Sequence, residues 1–346
     1  MAIGATALSV LAYSFCSGTM LLINKLAIHH LGCPTMVSAI QLIAATVWCL
    51  GIKYTGCLAV DDFEWAKVKP YLYYVVLFTL GVWTNMKSLE VSNVDTVIVF
   101  RACTPLAVAI MDFFFLGREL PGRRSAAALG LLGLGAFGYV ASDAQFALAG
   151  FAAYYCVTAY FFLICVEMTY GKRITSSVKM ATVSGSVMYT NFFAWGPMLA
   201  IAASVGELQK FKEVEWTAPG AFYLTLSCVV GTAISYCGWW CRGRVSATTF
   251  TLVGVINKVL TVLLNVVIWD KHASPVGLAF LLLCLGGGAL YKQAPMRAGA
   301  AAAAAATGGR AAADVAVDVE ATAPLNASPS AVARSGKGGG GGIELK

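Results

Sequence analysis

Residues 248–269 read TTFTLVGVINKVLTVLLNVVIW, an apolar stretch long enough to cross a bilayer and interrupted by a single ammonium group. A membrane-spanning helix needs about 20 apolar residues. Lys258 stands near the middle of the stretch, directly after Asn257. Insertion scales assign about 2.5 to 3.5 kcal/mol to a lysine at the centre of such a helix, so it persists only with a partner or a watered cavity. The stretch therefore predicts a membrane protein with a polar interior site.

The composition of the whole chain also indicates an integral membrane protein. Of 346 residues, 59% are hydrophobic and only 12% are charged. Eleven cysteines are scattered without a CxxC pair or a Cys/His ligand spacing, so we expect no metal site and no cofactor. The first residues, MAIGATALSVLAYSF, lack the features of a secretory signal or an organellar transit peptide. The first apolar stretch is therefore predicted to be a retained helix.

The apolar stretches predict an all-α polytopic membrane protein with ten transmembrane helices. We place them near residues 5–28, 35–54, 71–91, 95–116, 124–143, 147–170, 178–204, 218–240, 245–268 and 275–293. Thirteen Lys and Arg residues then fall on one side of the membrane, against Lys210, Lys212 and Lys271 on the other. This positive-inside bias predicts that both termini are cytosolic. Residues 294–346 are rich in Ala and Gly and are predicted to be a disordered cytosolic tail.

A weak internal repeat divides the predicted ten-helix domain, residues 1–293. Val91–Pro121 and Val245–Pro275 align without a gap at an offset of 154 residues, with six of 31 positions identical. Five predicted helices lie within that offset, so equivalent helices of the two halves, about 1–143 and 147–293, would run in opposite directions. Inverted repeats of this kind are usual in alternating-access transporters, whose binding site lies near the midplane between the halves.

Four of the 24 Lys and Arg residues fall within the predicted spans: Lys25, Lys87, Arg101 and Lys258. Acidic residues are scarce there, with two inside the spans and two at span ends: Asp112, Glu167, Glu90 and Asp95. Lys25 and Lys87 are close enough to the luminal helix ends for their side chains to reach water. Arg101 and Lys258 lie deeper. We therefore expect the missing negative charge to arrive with a ligand.

Other polar and aromatic side chains share helix faces with these cations. Phe250, Gly254 and Lys258 are spaced i, i+4, i+8, and Tyr13 and Asn24 are about three turns apart on the first helix. The alternative reading is hydrogen bonding between helices, which is common for polar residues in membranes. That reading explains one or two of these residues and not four cations. On the seventh helix, Tyr189 and Asn191 point roughly 200° apart, so we expect one of the two to pack instead.

These motifs resemble the nucleotide-sugar transporters of the drug/metabolite transporter superfamily over residues 5–293. The resemblance is carried by LAY followed by NK (Tyr13, Asn24, Lys25), TVIVFRACTP with Arg101, AIS ending at Ser235, and GVINK. GVINK is similar to the GALNK motif of Golgi GDP-mannose transporters, and MYTN is similar to their FYNN motif. The stretch NVVIWDKHAS, together with TVIVFR, looks closest to plant-type Golgi GDP-sugar transporters.

The resemblance implies roles for particular residues. Tyr189, Asn191 and Ser235 would hold guanine, while the sugar and phosphates would contact Phe250, Gly254, Asn257 and Lys258. Three positions depart from the family pattern: Met188, Thr190 and Phe250. These departures weaken the mannose assignment more than the GDP assignment.

The sequence thus predicts a Golgi antiporter that exchanges a cytosolic GDP-sugar, GDP-fucose, GDP-galactose or GDP-mannose, for luminal GMP by alternating access. A UDP-sugar carrier and a plastid-type sugar-phosphate/phosphate exchanger remain alternatives of the same fold, and a non-transporting scaffold is a third. An enzyme is disfavoured, because His29, His30 and His272 lie near luminal helix ends without a nucleophile or metal-ligand grouping. Expected partners are the nucleotide substrates and membrane lipid, with no nucleic acid, and a homodimer is left open.

Overall fold

A computed structural model describes residues 2–115, 117–143, 154–167, 178, 180–242, 244–245, 247–268, 273–295 and 297. These ranges are almost entirely helical. The helices are α1 Ala2–Leu31, α2 Pro34–Thr55, α3 Trp65–Val91, α4 Val94–Ala102, α5 Thr104–Phe115, α6 Arg123–Ser142, α7 Tyr155–Val166, α8 Val183–Ser204, α9 Glu207–Lys212, α10 Ala218–Arg242, α11 Ala247–Ile268 and α12 Pro275–Leu290. The predicted tail from residue 298, and the sixth predicted span outside 154–167, lie outside the described residues.

The length and composition of the helices fit a polytopic membrane protein. Among the described residues, five segments are long and apolar enough to cross a bilayer: Gly4–Leu31, Pro34–Thr55, Val94–Phe114, Arg123–Ser142 and Ala218–Cys241. Shorter apolar helices cover Tyr155–Val166, Val253–Ile268 and Pro275–Leu290. The all-α membrane class predicted from the sequence is confirmed at this level.

The predicted fourth span crosses as one segment but is not one continuous helix. α4 ends at Ala102 and α5 begins at Thr104. Pro105 is the physical cause, because it has no N–H to donate to the carbonyl of Arg101 and its ring crowds that carbonyl. The hydroxyl of Thr104 donates to the Arg101 carbonyl instead, at 2.8 Å. The span predicted near 95–116 is therefore one apolar segment, Val94–Phe114, made of two helices, and the break between them lies directly beside Arg101.

α2 and α8 pack against each other in opposite directions, joined at both ends by a carboxylate. Asp61, which follows α2, accepts hydrogen bonds from the N–H and hydroxyl of Thr182 at the start of α8, at 2.9 and 2.5 Å. Glu207, which follows α8, accepts from the N–H and hydroxyl of Thr35 in the first turn of α2, both at 2.7 Å. Carboxylates satisfy the free N–H groups of a helix start and oppose its dipole. The end of each helix therefore lies beside the start of the other.

α6 and α12 approach closely through glycine. A Cβ built on Gly135 would lie 2.8 Å from the Cα of Cys284, and one on Gly287 would lie 2.8 Å from the carbonyl oxygen of Ala128. Only a residue without a side chain permits this backbone contact, as at small-residue interfaces of membrane helices. The contact explains the glycines at positions 135 of α6 and 287 of α12.

Beyond α12 the chain is attached to the loop that follows α5. Glu119 donates its N–H to the carbonyl of Pro295 at 3.0 Å, and Arg297 donates to that of Gly117 at 2.9 Å. We call residues 117–119, Pro295 and Arg297 together the clasp. It holds the last described part of the chain beside the start of α6.

Candidate functional site

Lys258 lies in the middle of α11 with its side chain partly accessible. Its ammonium interacts electrostatically with Arg101 and with the thiols of Cys103 and Cys284. These neighbours belong to α4, the break after it, and α12. The structure therefore brings together the two deepest predicted cations, which come from different halves of the sequence.

Arg101 sits one residue before the end of α4, at the helix break. Its guanidinium interacts electrostatically with Tyr160, Tyr13 and Glu167, which lie on or at the end of α7 and on α1. The side chain is nevertheless exposed. Arg101 therefore lies close to α1 and α7 while part of its side chain stays accessible.

Neither deep cation is neutralised by a salt bridge. In the ranges that the structure covers, no carboxylate oxygen lies within 4.0 Å of Lys258 or Arg101. Two like charges held together in a membrane span repel each other and favour an anionic ligand. The pair is therefore suited to phosphate groups.

Asn257 carries an unsatisfied amide next to Lys258. The residue is 2% exposed, and neither its Nδ2 nor its Oδ1 has a hydrogen-bond partner. A buried polar group without a partner costs about 1 to 3 kcal/mol. Gly254, one turn earlier, has nothing within 4 Å of a built Cβ. An unpaired amide near an unfilled glycine surface can accept and donate hydrogen bonds to ligand hydroxyls. The side chain of Phe250 lies outside the described residues.

Tyr13 of α1 lies near the cation pair, and Ser235 belongs to α10, which packs beside Tyr13. Tyr13 lies close enough to Arg101 for an electrostatic interaction. The ring of Tyr13 would also lie 3.5 Å from a Cβ built on Gly238 of α10. Ser235 lies one turn before Gly238 and donates its hydroxyl to the Gly231 carbonyl at 3.0 Å. Tyr13 thus reaches from α1 between α4 and α10.

Asn24 has a partner that the sequence analysis missed. Its Oδ1 accepts a hydrogen bond from Nε2 of Gln41 on α2 at 2.9 Å, and Asn24 is 5% exposed. Gln41 also lies beside Gly231 of α10, one turn from Ser235. The sequence contained a signal for this partner, because Gln41 is a polar residue inside the apolar stretch SAIQLIAATV.

The two shallower cations have protein partners. Lys25 donates to the carbonyls of Leu89 and Ser92 at the end of α3, the latter at 2.9 Å. Lys87 forms salt bridges with Glu90 at 3.0 Å and Glu207 at 2.9 Å. The expectation of four cations lacking partners was therefore wrong for these two. Glu207 was overlooked as a partner because it lies in a predicted loop 120 residues away in the chain.

Tyr189 and Asn191 are both buried, and both donate hydrogen bonds to backbone carbonyls. Tyr189 is fully buried, donates its hydroxyl to the carbonyl of Asp62 at 2.6 Å, and accepts from the N–H of Glu64 at 2.9 Å. It thereby fixes the linker between α2 and α3. Asn191 is 4% exposed and donates its Nδ2 to the Val187 carbonyl at 2.7 Å. Tyr189 presents no surface to a ligand in this conformation.

No metal centre accompanies these residues in the described part of the chain, which contains no group of three or more His, Cys, Asp or Glu residues able to hold an ion. A separate cavity of about 400 Å³ lies between α4, α6 and α7. Its lining is apolar: Val99, Phe100, Cys103, Ala136, Phe137, Val140, Ala141 and Phe161. It therefore does not suit a charged ligand.

Comparison with known proteins agrees with a transport site. Residues 5–292 match the model of the Triose-phosphate Transporter family. The chain is similar to GDP-fucose transporter 1 of Arabidopsis thaliana, with 39% identity over 82% of this chain and 84% of that protein. It is also similar to the GDP-mannose transporter GONST3 of the same plant, with 33% identity over 82% of this chain and 77% of that protein.

Two more distant likenesses bear on specificity and fold. The UDP-galactose/UDP-glucose transporter 7 of Arabidopsis thaliana is 26% identical over 84% of this chain and 90% of that protein. A crystal structure of another protein superposes with a TM-score of 0.54 at 16% identity, over 83% of this chain and 96% of that chain. The structural match supports the fold alone.

Proposed function

The chain belongs to the Triose-phosphate Transporter family, and from that premise we propose that it exchanges a cytosolic GDP-sugar for luminal GMP. The proposal rests on one observation, the Arg101 and Lys258 pair, with which no described carboxylate forms a salt bridge. The names of its relatives support the substrate class, since GDP-fucose transporter 1 and GONST3 are named for GDP-sugars. The family and these relatives are transporters and not enzymes.

In the proposed complex, the diphosphate lies between Lys258 and Arg101. Asn257 and the bare backbone at Gly254 contact sugar hydroxyls, with Phe250 at the edge of that subsite. Tyr13 and Asn24 close the cavity from α1. The guanine base is held by Asn191 and Ser235, while Tyr189 positions α8 behind them. Lys25, bound to the end of α3, lies at the luminal margin of the site.

Charge neutralisation provides the coupling between the two substrates. An empty cavity carries two cations, and moving them past a low-dielectric barrier is unfavourable. Either a GDP-sugar or GMP supplies compensating negative charge and so lowers the free energy of moving the cations past the barrier. A ligand shifts a conformational equilibrium only through such a difference between the states. Exchange is therefore favoured over return of the empty carrier.

The proposed architecture is ten helices in two inverted repeats of five, at about 1–143 and 147–293, that alternate access around the site. The antiparallel packing of α2 with α8 supports it, because these helices occupy equivalent positions in the two halves. The break beside Arg101 also supports it, since discontinuous helices form the sites of many transporters. We further propose a Golgi membrane location with both termini cytosolic, and a disordered tail from residue 298 onward.

A counterflow experiment tests the substrate assignment. Proteoliposomes preloaded with GMP, UMP or CMP are offered labelled GDP-, UDP- and CMP-sugars. The proposal expects uptake of a GDP-sugar that depends on internal GMP. Among GDP-fucose, GDP-galactose and GDP-mannose, the fastest exchange identifies the sugar.

A UDP-sugar carrier is the second candidate, favoured by the likeness to the UDP-galactose/UDP-glucose transporter 7. UMP-dependent uptake would select it. Uptake dependent on inorganic phosphate would select a sugar-phosphate exchanger. Failure of every nucleotide to raise the unfolding temperature would instead point to a non-transporting scaffold.

A further inference from the structure

Four exposed cations gather at the clasp and the start of α6, and we call them the basic patch: Arg123, Arg124, Lys292 and Arg297. Backbone contacts bring these segments together. Ser125 donates its hydroxyl to the carbonyl of Lys292 at 3.0 Å. Arg297 is held by the clasp, and its guanidinium lies 4.2 Å above the ring of Phe113.

The basic patch lacks internal counter-charges. Within the described ranges, none of its four members forms a salt bridge. The nearby carboxylate of Asp112 is occupied by Arg118 at 3.6 Å and by the amide of Gln293. Besides Asp112, the acidic residue close to the basic patch is Glu119 of the clasp. The surface therefore carries a clear excess of positive charge.

A second basic segment on the same predicted side carries two lysines that are paired with carboxylates. In the linker between α2 and α3, Lys53 pairs with Asp62 at 2.6 Å, and Lys67 pairs with Glu64 at 2.7 Å and with Asp61 at 3.5 Å. A general positive-inside bias predicts cations at both places. It does not predict that one group is paired and the other is not.

Exposed apolar side chains surround the basic patch. Phe114, Leu120 and Leu290 are 72%, 64% and 66% exposed. They lie at the end of α5, in the following loop and at the end of α12, where such side chains face lipid. Cations bordering a lipid-facing surface lie at the level of phospholipid headgroups.

From these observations we infer that the basic patch is a binding site for the headgroup of an anionic phospholipid. Guanidinium groups donate paired hydrogen bonds to phosphate oxygens, and Lys292 adds a point charge. The apolar border receives the acyl chains. This site is separate from the Arg101 and Lys258 cavity and does not depend on the transported substrate.

The test measures binding of fluorescent phosphatidylserine to the purified full chain in neutral detergent by anisotropy. Arg123→Ala with Arg124→Ala is expected to weaken binding roughly 30-fold, from about 1 kcal/mol for each cation. The matched control, Lys53→Ala with Lys67→Ala, removes the same charge from the neutralised linker and is expected to leave the affinity nearly unchanged. Arg123→Lys with Arg124→Lys should retain most of the binding.

Three results would overturn the inference: equal weakening by both double variants, wild-type affinity in the patch variant, or equally tight binding of soluble glycerophosphoserine. Thermal unfolding confirms that the variants are folded. If the double variant unfolds, the single variant Lys292→Ala replaces it in the binding assay. Because this change removes one exposed cation, about a fivefold loss of lipid affinity is expected.

Discussion

The carboxylate of Glu207 lies 2.9 Å from the ammonium of Lys87 and also accepts hydrogen bonds from the first turn of α2. One buried side chain therefore joins α2, α3 and α9. Lys87, which looks unpaired in the sequence, is part of this structural contact and is not available to a ligand.

We expect Glu207→Gln to lower the stability of the protein by about 1 to 3 kcal/mol, because a buried charge partner and hydrogen-bond acceptor is lost. Thermal unfolding in detergent measures the effect. Glu213→Gln, at an exposed carboxylate just after α9, is the control and should be neutral. If both variants lowered the unfolding temperature equally, Glu207 would not stabilise the contact between α2, α3 and α9.

Asp61 predicts an acid-dependent loss of stability. Burial alone would raise the pKa of Asp61, but hydrogen bonds from the Thr182 hydroxyl and from the N–H groups of Ala181 and Thr182, with Lys67 nearby, hold it below its ordinary value. A carboxyl with a depressed folded pKa stabilises above its unfolded pKa of about 3.9, and that contribution is lost as pH falls through the folded pKa. Asp61→Asn should therefore lower the unfolding temperature at neutral pH.

The difference between wild type and Asp61→Asn should shrink as the pH falls below about 4. Asp62→Asn is the control, because that neighbouring carboxyl is 84% exposed. A difference that stays constant from neutral to acidic pH would contradict the assignment.

The close approach of α6 and α12 predicts a position-specific effect of adding one methyl group. Gly135→Ala should destabilise by about 1 to 3 kcal/mol, since the new Cβ meets the backbone of Cys284. Gly133→Ala in the same helix meets nothing within 4 Å and should be neutral or slightly stabilising. Comparing the unfolding temperatures of Gly135→Ala and Gly133→Ala separates the effect of close packing from the effect of helix propensity.

Pro105 predicts a change in transport without loss of the fold. Pro105→Ala restores an N–H that can bond to the Arg101 carbonyl, so α4 and α5 should join and move the Arg101 guanidinium. We expect slower counterflow with an unchanged or higher unfolding temperature. Pro197→Ala, which removes a proline at an exposed position inside α8, is the control. Wild-type counterflow in the Pro105 variant would show that the break is not needed.

The sequence predicted the helical membrane class, because that class follows from local hydropathy. The expectation that only one of Tyr189 and Asn191 packs stays a prediction, since both side chains are buried. The break at Cys103 was readable from Thr104-Pro105, although hydropathy alone hides it. The partner of Lys87 was not readable, because it is a loop residue brought in by the packing of α2, α3 and α9. Gln41 beside Asn24 likewise depends on how two helices meet.

The exchange activity of Lys258→Ala tests the central claim most directly. GMP-dependent counterflow of a GDP-sugar is compared in wild type, Lys258→Ala, Lys258→Arg and the exposed-site control Lys212→Ala, all reconstituted at equal protein. We expect at least a tenfold loss for Lys258→Ala, because about 1.4 kcal/mol or more of phosphate interaction disappears. We also expect partial activity for Lys258→Arg and wild-type rates for Lys212→Ala. Wild-type counterflow in a folded Lys258→Ala protein would contradict the central claim.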